Sequence, residues 1–145
     1  MISTMSDCIF CKIISGTIPA EKLYENDHVI AFLDINPIHF GHALILPKQH
    51  CKDFLDLPDE TYHSILQAAK VVTQALVESL NLEGYNLFSN NGAIAGQSVF
   101  HFHLHVTPRY RDDNIRFVLN LKKYSDGDLK RYGTMIRKCI KPHAL

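Results

Sequence analysis

One long segment of the chain repeats its apolar residues at intervals of three and four positions. Five residues follow this spacing: Ile65, Ala69, Val72, Leu76 and Leu80. It places their side chains in one stripe along an α-helix, where they can pack against a core. The proline at position 58 and the acidic residues at 59 and 60 suit the first turn of a helix. The pattern therefore predicts a helix over residues 58–80.

Shorter runs of β-branched, aromatic and aliphatic residues predict strands. There are five such runs, at residues 22–24, 29–33, 43–46, 85–89 and 99–107. They follow one another through short turns, which favours an antiparallel sheet. Segments 9–15 and 125–139 predict a brief helix and a C-terminal helix. We expect an α+β fold, in which a five-stranded antiparallel sheet packs with one long helix and a C-terminal helix.

The length and composition fit one ordinary globular domain. The chain has 145 residues, of which 46% are hydrophobic and 21% charged, and this is enough to bury a sizeable core. Fifteen basic and fifteen acidic residues cancel. The chain therefore has no general attraction to nucleic acid or to an anionic membrane. Any phosphate must be bound by local groups.

The oxidation state expected for the four cysteines depends on the cellular compartment. The N-terminal residues have neither the basic nor the apolar region of a secretory signal, and no stretch is long enough to span a bilayer. We expect a cytoplasmic protein, in which thiols stay reduced. Cys8 and Cys11 form a Cys-x-x-Cys pair, which is half of a common tetrahedral metal site. A redox pair and two buried thiols are the alternatives.

Three histidines alternate with apolar residues in the last predicted strand. Because successive strand residues point to opposite sides, His101, His103 and His105 share one face. A row of solvent-facing side chains is one explanation, but few strands collect three titratable rings without a use. Two functional explanations stay open at this point: a metal site, or a nucleophilic histidine beside ring N–H donors. The second suits phosphoryl transfer to a neutral ring nitrogen.

Polar residues lead directly into this strand. Ser98 offers a hydroxyl that can donate to a leaving group, and Gln97 can both donate to and accept from oxygens. The glycine-bounded loop over residues 92–96 can approach a phosphate closely, but it lacks the Gly-Lys-Ser/Thr ending of a P-loop.

The run from Gly96 to Val106 resembles the signature of the histidine-triad (HIT) nucleotide-binding family. Segments 8–14, 31–35 and 41–48 are also similar to family segments, in the expected order. The resemblance covers about residues 8–110 and is closer to the prokaryotic, zinc-containing branch than to the metal-free one. It implies a single HIT-like domain over residues 1–145, with a C-terminal extension over 111–145.

The resemblance implies a hydrolase that acts at the α-phosphate of an adenine nucleotide. His103 would attack phosphorus and form a nucleotidyl-histidine, which water would hydrolyse to release the nucleoside monophosphate. His105 would hydrogen-bond the phosphate oxygens, and Ser98 and Gln97 would contact the phosphate or the leaving group. The implied substrates are purine nucleoside phosphoramidates, dinucleoside polyphosphates, or both.

The resemblance also assigns nucleotide-binding roles. Asp34 would hold the ribose hydroxyls, and Asn90 would lie near the phosphates and the ribose. Apolar side chains would line the base pocket: Ile9, Phe32, Ile35 and Leu44. Each assignment has a structural alternative, which is a turn residue for Asp34, a turn cap for Asn90 and core packing for the apolar residues.

A zinc site and a homodimer are implied in the same way. The implied ligands are Cys8, Cys11, His50 and His101. A site with four protein ligands is closed, so its zinc would be structural. Three other functions stay open: a zinc-stabilised nucleotide-binding module that contacts a partner protein, a nucleotidyltransferase, and a metal carrier that binds one ion with all three triad histidines.

Overall fold

Five antiparallel strands form the sheet on which the fold is built. The computed structural model describes residues 7–141, and its strands are β1 (Lys22–Glu25), β2 (Val29–Leu33), β3 (Ala43–Pro47), β4 (Gly84–Phe88) and β5 (Leu104–Arg109). They lie in the order β1-β2-β3-β5-β4, and every neighbouring pair is antiparallel. The predicted sheet is confirmed, and β5 lies between β3 and β4.

The long helix covers one face of the sheet. This helix, α2 (Asp59–Leu80), agrees with the predicted range. Four of its five stripe residues are buried: Ile65, Ala69, Val72 and Leu76. They pack in one core cluster with residues of β2, β3 and β5. Asn81 ends the helix in the left-handed conformation, with a φ of 50°.

A short helix covers the opposite face. In α1 (Ile9–Ile14), the buried residues are Phe10 and Ile13, which lie one turn apart. They form a second core cluster with apolar residues of β2 and β3, including Phe32 and Leu44. Both faces of the central strands are therefore buried, which explains why β2 and β3 are almost continuously apolar.

The last strand begins later than its sequence pattern predicts. Residues 99–101 bend, and β5 starts only at Leu104. The backbone N–H of Phe102 donates instead to the carbonyl of Cys51, at 2.6 Å. At its other end β5 continues through Pro108. Beyond Val106 it pairs with β4 alone, and proline is tolerated where one side of a strand has no neighbour.

Residues 114–141 belong to a separate compact unit. The chain divides after Asp113, near the expected start of the extension at 111. The second unit contains α3 (Asp128–Cys139), which confirms the predicted C-terminal helix, and residues 114–125 before it have no regular secondary structure. The single HIT-like domain over 1–145 stays a prediction. Among residues 7–141, no helix is long and apolar enough to cross a membrane.

Gly41 offers a stability test that separates crowding from backbone strain. Its φ is +88°, and a Cβ there would lie 2.6 Å from Leu80 Cδ1 and 3.1 Å from Pro108 Cγ. Gly16 has a similar φ of +77°, but open space surrounds its Cβ position. We expect Gly16→Ala to lower the free energy of unfolding by about 1 kcal/mol. Gly41→Ala should lower it by about 2–4 kcal/mol, because crowding adds to the strain. Denaturant unfolding measures both values, and equal losses would contradict this account.

Candidate active site and metal cluster

His103 has the protonation state that a nucleophile needs. The ring is 5% exposed, and its Nδ1 lies 2.7 Å from the carbonyl oxygen of His101. Because a carbonyl oxygen only accepts, Nδ1 carries the proton and Nε2 carries the lone pair. Burial lowers the pKa of His103 below its ordinary value, so the ring is neutral at pH 7. A neutral imidazole with its lone pair on Nε2 can attack phosphorus.

Phe10 holds the His103 ring in place. The two ring centroids are 5.1 Å apart in an edge-to-face arrangement, and Phe10 makes a similar contact with Phe32 at 5.8 Å. The resemblance names Ile9 at this point of the chain, but Ile9 is 42% exposed. Phe10 has no predicted role. The three-residue spacing of Phe10 and Ile13 on one helical face is the signal that identifies it.

A fourth histidine, His42, extends the network on the other side of the triad. Its Nδ1 accepts a hydrogen bond from the backbone N–H of Ile38 at 3.1 Å, and its Nε2 lies 2.9 Å from Nδ1 of His105. A backbone N–H only donates, so His42 carries its proton on Nε2 and donates it to His105. His105 must then carry its own proton on Nε2.

This chain of hydrogen bonds leaves one donor unused. His105 Nε2 is buried and has no hydrogen-bond partner among residues 7–141. Phe88 stacks on the His105 ring with centroids 4.6 Å apart, and the His103 ring lies 4.8 Å away. Burial, assisted by His103 and His42, lowers the pKa of His105 to about 4. The ring is therefore a neutral donor beside His103, which suits an anionic oxygen.

Asp34 is a turn residue that also lies beside His42. Its Oδ1 accepts a hydrogen bond from the backbone N–H of Asn36 at 2.8 Å, which is the geometry of a turn residue. Its Oδ2 lies 3.8 Å from Nδ1 of His42, and the side chain is half-buried. The carboxylate therefore lies at the edge of the histidine network. Its contact with the ribose stays a prediction.

Gln97 holds the loop before the triad through its side-chain amide. Its Oε1 accepts from the backbone N–H of Gly92 at 2.8 Å. Its Nε2 donates to the carbonyls of Lys52 and Val99, at 2.7 and 3.2 Å. The side chain is buried and makes all three of these bonds, which gives it a positioning role. Its contact with phosphate stays a prediction.

Two further polar residues expected at the site, Asn90 and Ser98, flank the loop over residues 92–96. The side chain of Ser98 is exposed. Asn90 lies against Gly96, where a Cβ would be 3.5 Å from the Asn90 Nδ2. Their contacts with phosphate and ribose stay predictions.

The four apolar residues of the expected base pocket differ in burial. Phe32 and Leu44 are 3% and 4% exposed and belong to the core cluster under α1. Ile9 and Ile35 are 42% and 84% exposed. Core packing is thus part of the role of the first pair, while the second pair is accessible to a ligand. The pocket itself stays a prediction.

The four residues implied as zinc ligands come together at one point. Cys8, Cys11, His50 and His101 each place one ligand atom within 4.8 Å of the others. His101 Nδ1 lies 3.6 Å from each of the two sulfur atoms, and His50 Nδ1 lies 3.3 Å from the sulfur of Cys11. Sulfur and nitrogen atoms bound to one tetrahedral zinc are about 3.5 Å apart. The residues therefore fit a four-coordinate metal ion.

The ring of His101 is oriented for this cluster. Its Nε2 lies 2.8 Å from the carbonyl of Pro47 and donates to it, which leaves the Nδ1 lone pair directed at the sulfur atoms. Among the described residues, His101 groups with Cys8, Cys11 and His50, and no group of side chains placed to hold one ion joins all three triad histidines. The structure therefore does not support the metal-carrier alternative.

The ring protonation states can be measured directly. We expect nitrogen-15 NMR of the imidazoles to show His103 protonated on Nδ1, and His42 and His105 protonated on Nε2, at pH 7. His42→Phe should release His105 into a mixture of tautomers and leave His103 unchanged. If the His105 ring kept one tautomer in this variant, the hydrogen bonds from Ile38 N–H to His42 and from His42 to His105 would not be what sets it.

Comparison with known proteins places this geometry in a family. The profile of the HIT domain matches residues 15–112. Adenosine 5'-monophosphoramidase hnt1 of Schizosaccharomyces pombe is 45% identical over 106 residues, which are 73% of this chain and 77% of that protein. A crystal structure of a HIT family protein from Bacillus subtilis has a TM-score of 0.89 at 38% identity, and covers 94% of this chain and 99% of that one.

A second solved structure bears on the metal cluster. It is a Zn-bound histidine triad family protein from Mycobacterium smegmatis, with a TM-score of 0.73, 36% identity and coverage of 93% of this chain and 94% of that one. The matching profile, the shared fold and the histidine network agree, and the chain belongs to the HIT domain family.

Proposed function

We propose that this protein is a nucleotide hydrolase that acts at the α-phosphate of adenine nucleoside 5'-phosphoramidates or dinucleoside polyphosphates. The observation that carries the proposal is the hydrogen bond from His103 Nδ1 to the carbonyl of His101. It leaves the lone pair of a neutral, buried ring on Nε2. The relative described as an adenosine 5'-monophosphoramidase supports the same reaction class.

The proposed reaction has two steps. In the first, His103 Nε2 forms a bond to phosphorus while the bond from phosphorus to the leaving nitrogen or oxygen breaks. The ring becomes cationic and keeps its Nδ1–H on the His101 carbonyl, which stabilises the charge. The leaving group takes a proton, for which Ser98 is the proposed donor. In the second step, water attacks phosphorus and its proton restores the Ser98 hydroxyl, while the bond from phosphorus to His103 Nε2 breaks, the neutral ring leaves and the nucleoside monophosphate is released.

The Nε2–H of His105 would orient the phosphate. Its buried Nε2–H would hydrogen-bond a non-bridging oxygen, where negative charge increases as His103 attacks. Asp34, at the edge of the same network, would accept hydrogen bonds from both ribose hydroxyls. The base would pack near the exposed Ile9 and Ile35.

Hydrolysis of adenosine 5'-phosphoramidate tests the nucleophile. We expect turnover by the wild type, and a loss of about 10³-fold or more in His103→Ala, because a missing nucleophile removes the covalent route. AMP should still bind to this variant. His63→Ala changes an exposed histidine of α2 and should leave turnover unchanged.

Two other outcomes of this experiment would redirect the proposal. Equal turnover by wild type and His103→Ala would exclude His103 as the nucleophile. Tight binding of AMP without turnover of phosphoramidates or dinucleoside polyphosphates by the wild type would instead favour the nucleotide-binding module.

We also propose that the metal is zinc and that its role is structural. Two thiolates and two imidazoles form a donor set that zinc prefers, and all four positions are protein ligands. Such a site would attach α1, and with it Phe10, to the triad. Thiolate ligands persist in a reducing compartment, which supports a cytoplasmic location.

The open edge of the sheet supports a homodimer. β4 is the last strand in the sheet order, and it exposes Tyr85 and Leu87 at 48% and 46%. Leu66 of α2 is also exposed, and these side chains line one groove between α2 and β4. An edge strand with apolar neighbours favours pairing with a second chain.

Native mass spectrometry tests the metal and the dimer together. We expect a species of two chains that holds one zinc ion per chain. Cys8→Ala should lose the zinc, and His103→Ala, which lies outside the cluster, should retain it. The reverse pattern would contradict the ligand assignment, and a monomer at micromolar concentration would contradict the dimer.

A further inference from the structure

His101 links the metal cluster to the nucleophile through its two ends. Its ring Nδ1 lies 3.6 Å from the sulfur atoms of Cys8 and Cys11. Its carbonyl oxygen accepts the Nδ1–H of His103 at 2.7 Å. The residue has no exposed surface. Whatever fixes the ring of His101 therefore also fixes the group that sets the tautomer of His103.

The backbone between these two ends is not held by the sheet. β5 starts only at Leu104, so residues 101–103 lack the ladder of hydrogen bonds that would orient the His101 carbonyl. Two hydrogen bonds tie this stretch to the segment before and after His50: the His101 ring to the carbonyl of Pro47, and the N–H of Phe102 to the carbonyl of Cys51. His50 is itself a member of the cluster.

The cluster supplies the remaining restraint. Contacts between thiols and an imidazole at 3.6 Å are weak hydrogen bonds. Coordination to a common ion holds the same atoms at roughly 2.0–2.3 Å from the metal. Coordination then restrains His101 and Phe102 together with segment 47–51, to which both are hydrogen-bonded.

We propose that His101 is a positioning residue that couples occupancy of the metal cluster to the tautomer and placement of His103. This inference rests on the proposed function, because it assigns a consequence to the nucleophile. Loss of the metal lowers turnover through His103, whereas Asp34 and Ile35, which are not members of the cluster, keep their proposed contacts with the ribose and the base.

Two variants of His101 separate positioning from direct chemistry. Both variants keep the backbone carbonyl, but His101→Cys replaces one zinc ligand by another, whereas His101→Ala removes the ligand. We expect His101→Cys to retain zinc, the Nδ1–H tautomer of His103 and kcat within about tenfold of the wild type. His101→Ala and the chelated wild type should lose zinc, show a mixture of His103 tautomers, and lower kcat by about 10²-fold. The Kd for AMP should change less than about threefold throughout.

Val72→Ala is the matched control for general destabilisation. Val72 is buried in the core cluster under α2, where it lies beside Leu23 and Tyr24 of β1. It should lower the melting temperature without changing the tautomer of His103. An equal tautomer change in this control would overturn the coupling. The same conclusion would follow if chelation left the tautomer and kcat intact, or if His101→Cys held zinc but was as slow as His101→Ala.

The tautomer measurement separates this inference from the proposed function. It reports on His103 in the absence of substrate. A zinc-dependent tautomer in a protein without turnover would reject the hydrolase and retain the coupling. Turnover that is independent of the metal would reject the coupling and retain the hydrolase.

Discussion

Backbone groups have fixed roles in hydrogen bonding, and the candidate site depends on this constraint. The carbonyl of His101 can only accept, so it places the proton of His103 on Nδ1. The N–H of Ile38 can only donate, so it orders the protons of His42 and His105. Burial keeps the rings neutral by lowering their pKa values. The positions of the His101 carbonyl and the Ile38 N–H therefore determine which nitrogen of each ring carries the proton.

The sheet brings these groups together from distant parts of the chain. Antiparallel pairing of β3 with β5 sets Leu44 opposite His105, which brings His42 to the triad. α1 closes one face and inserts Phe10 against His103, while α2 closes the other face with its apolar stripe. The cysteines at the start of α1 and the histidine after β3 complete the metal cluster. The metal cluster and His103 therefore depend on the same sheet.

The sequence predicts the parts of this arrangement that repeat or alternate. The stripe of α2 gives the helix to within a residue at its start, because 22 residues of one period outweigh local exceptions. The start of β5 is not predictable in this way. Its bend at 99–101 results from contacts with segments 47–52, and these depend on tertiary structure. Periodicity also cannot show which backbone groups a polar side chain will bind, so the positioning bonds of Gln97 are visible only in the structure.

His42 illustrates a further limit of sequence reasoning. It lies in segment 41–48, which resembles a family segment, but no spacing in the sequence relates it to the triad. Only the register of β3 against β5 places it beside His105. By contrast, the Cys-x-x-Cys pair and the triad are visible as spacings, and the structure brings their expected members together.

The relay through His42 has a consequence for how the protein tolerates mutation. Its first donor is the main-chain N–H of Ile38, a group that every amino acid except proline supplies. The exposed side chain of Ile38 can vary freely, and a scan with alanine would pass over the position. The group that orients the rings of His42 and His105 is therefore a backbone N–H, which most substitutions of Ile38 leave in place.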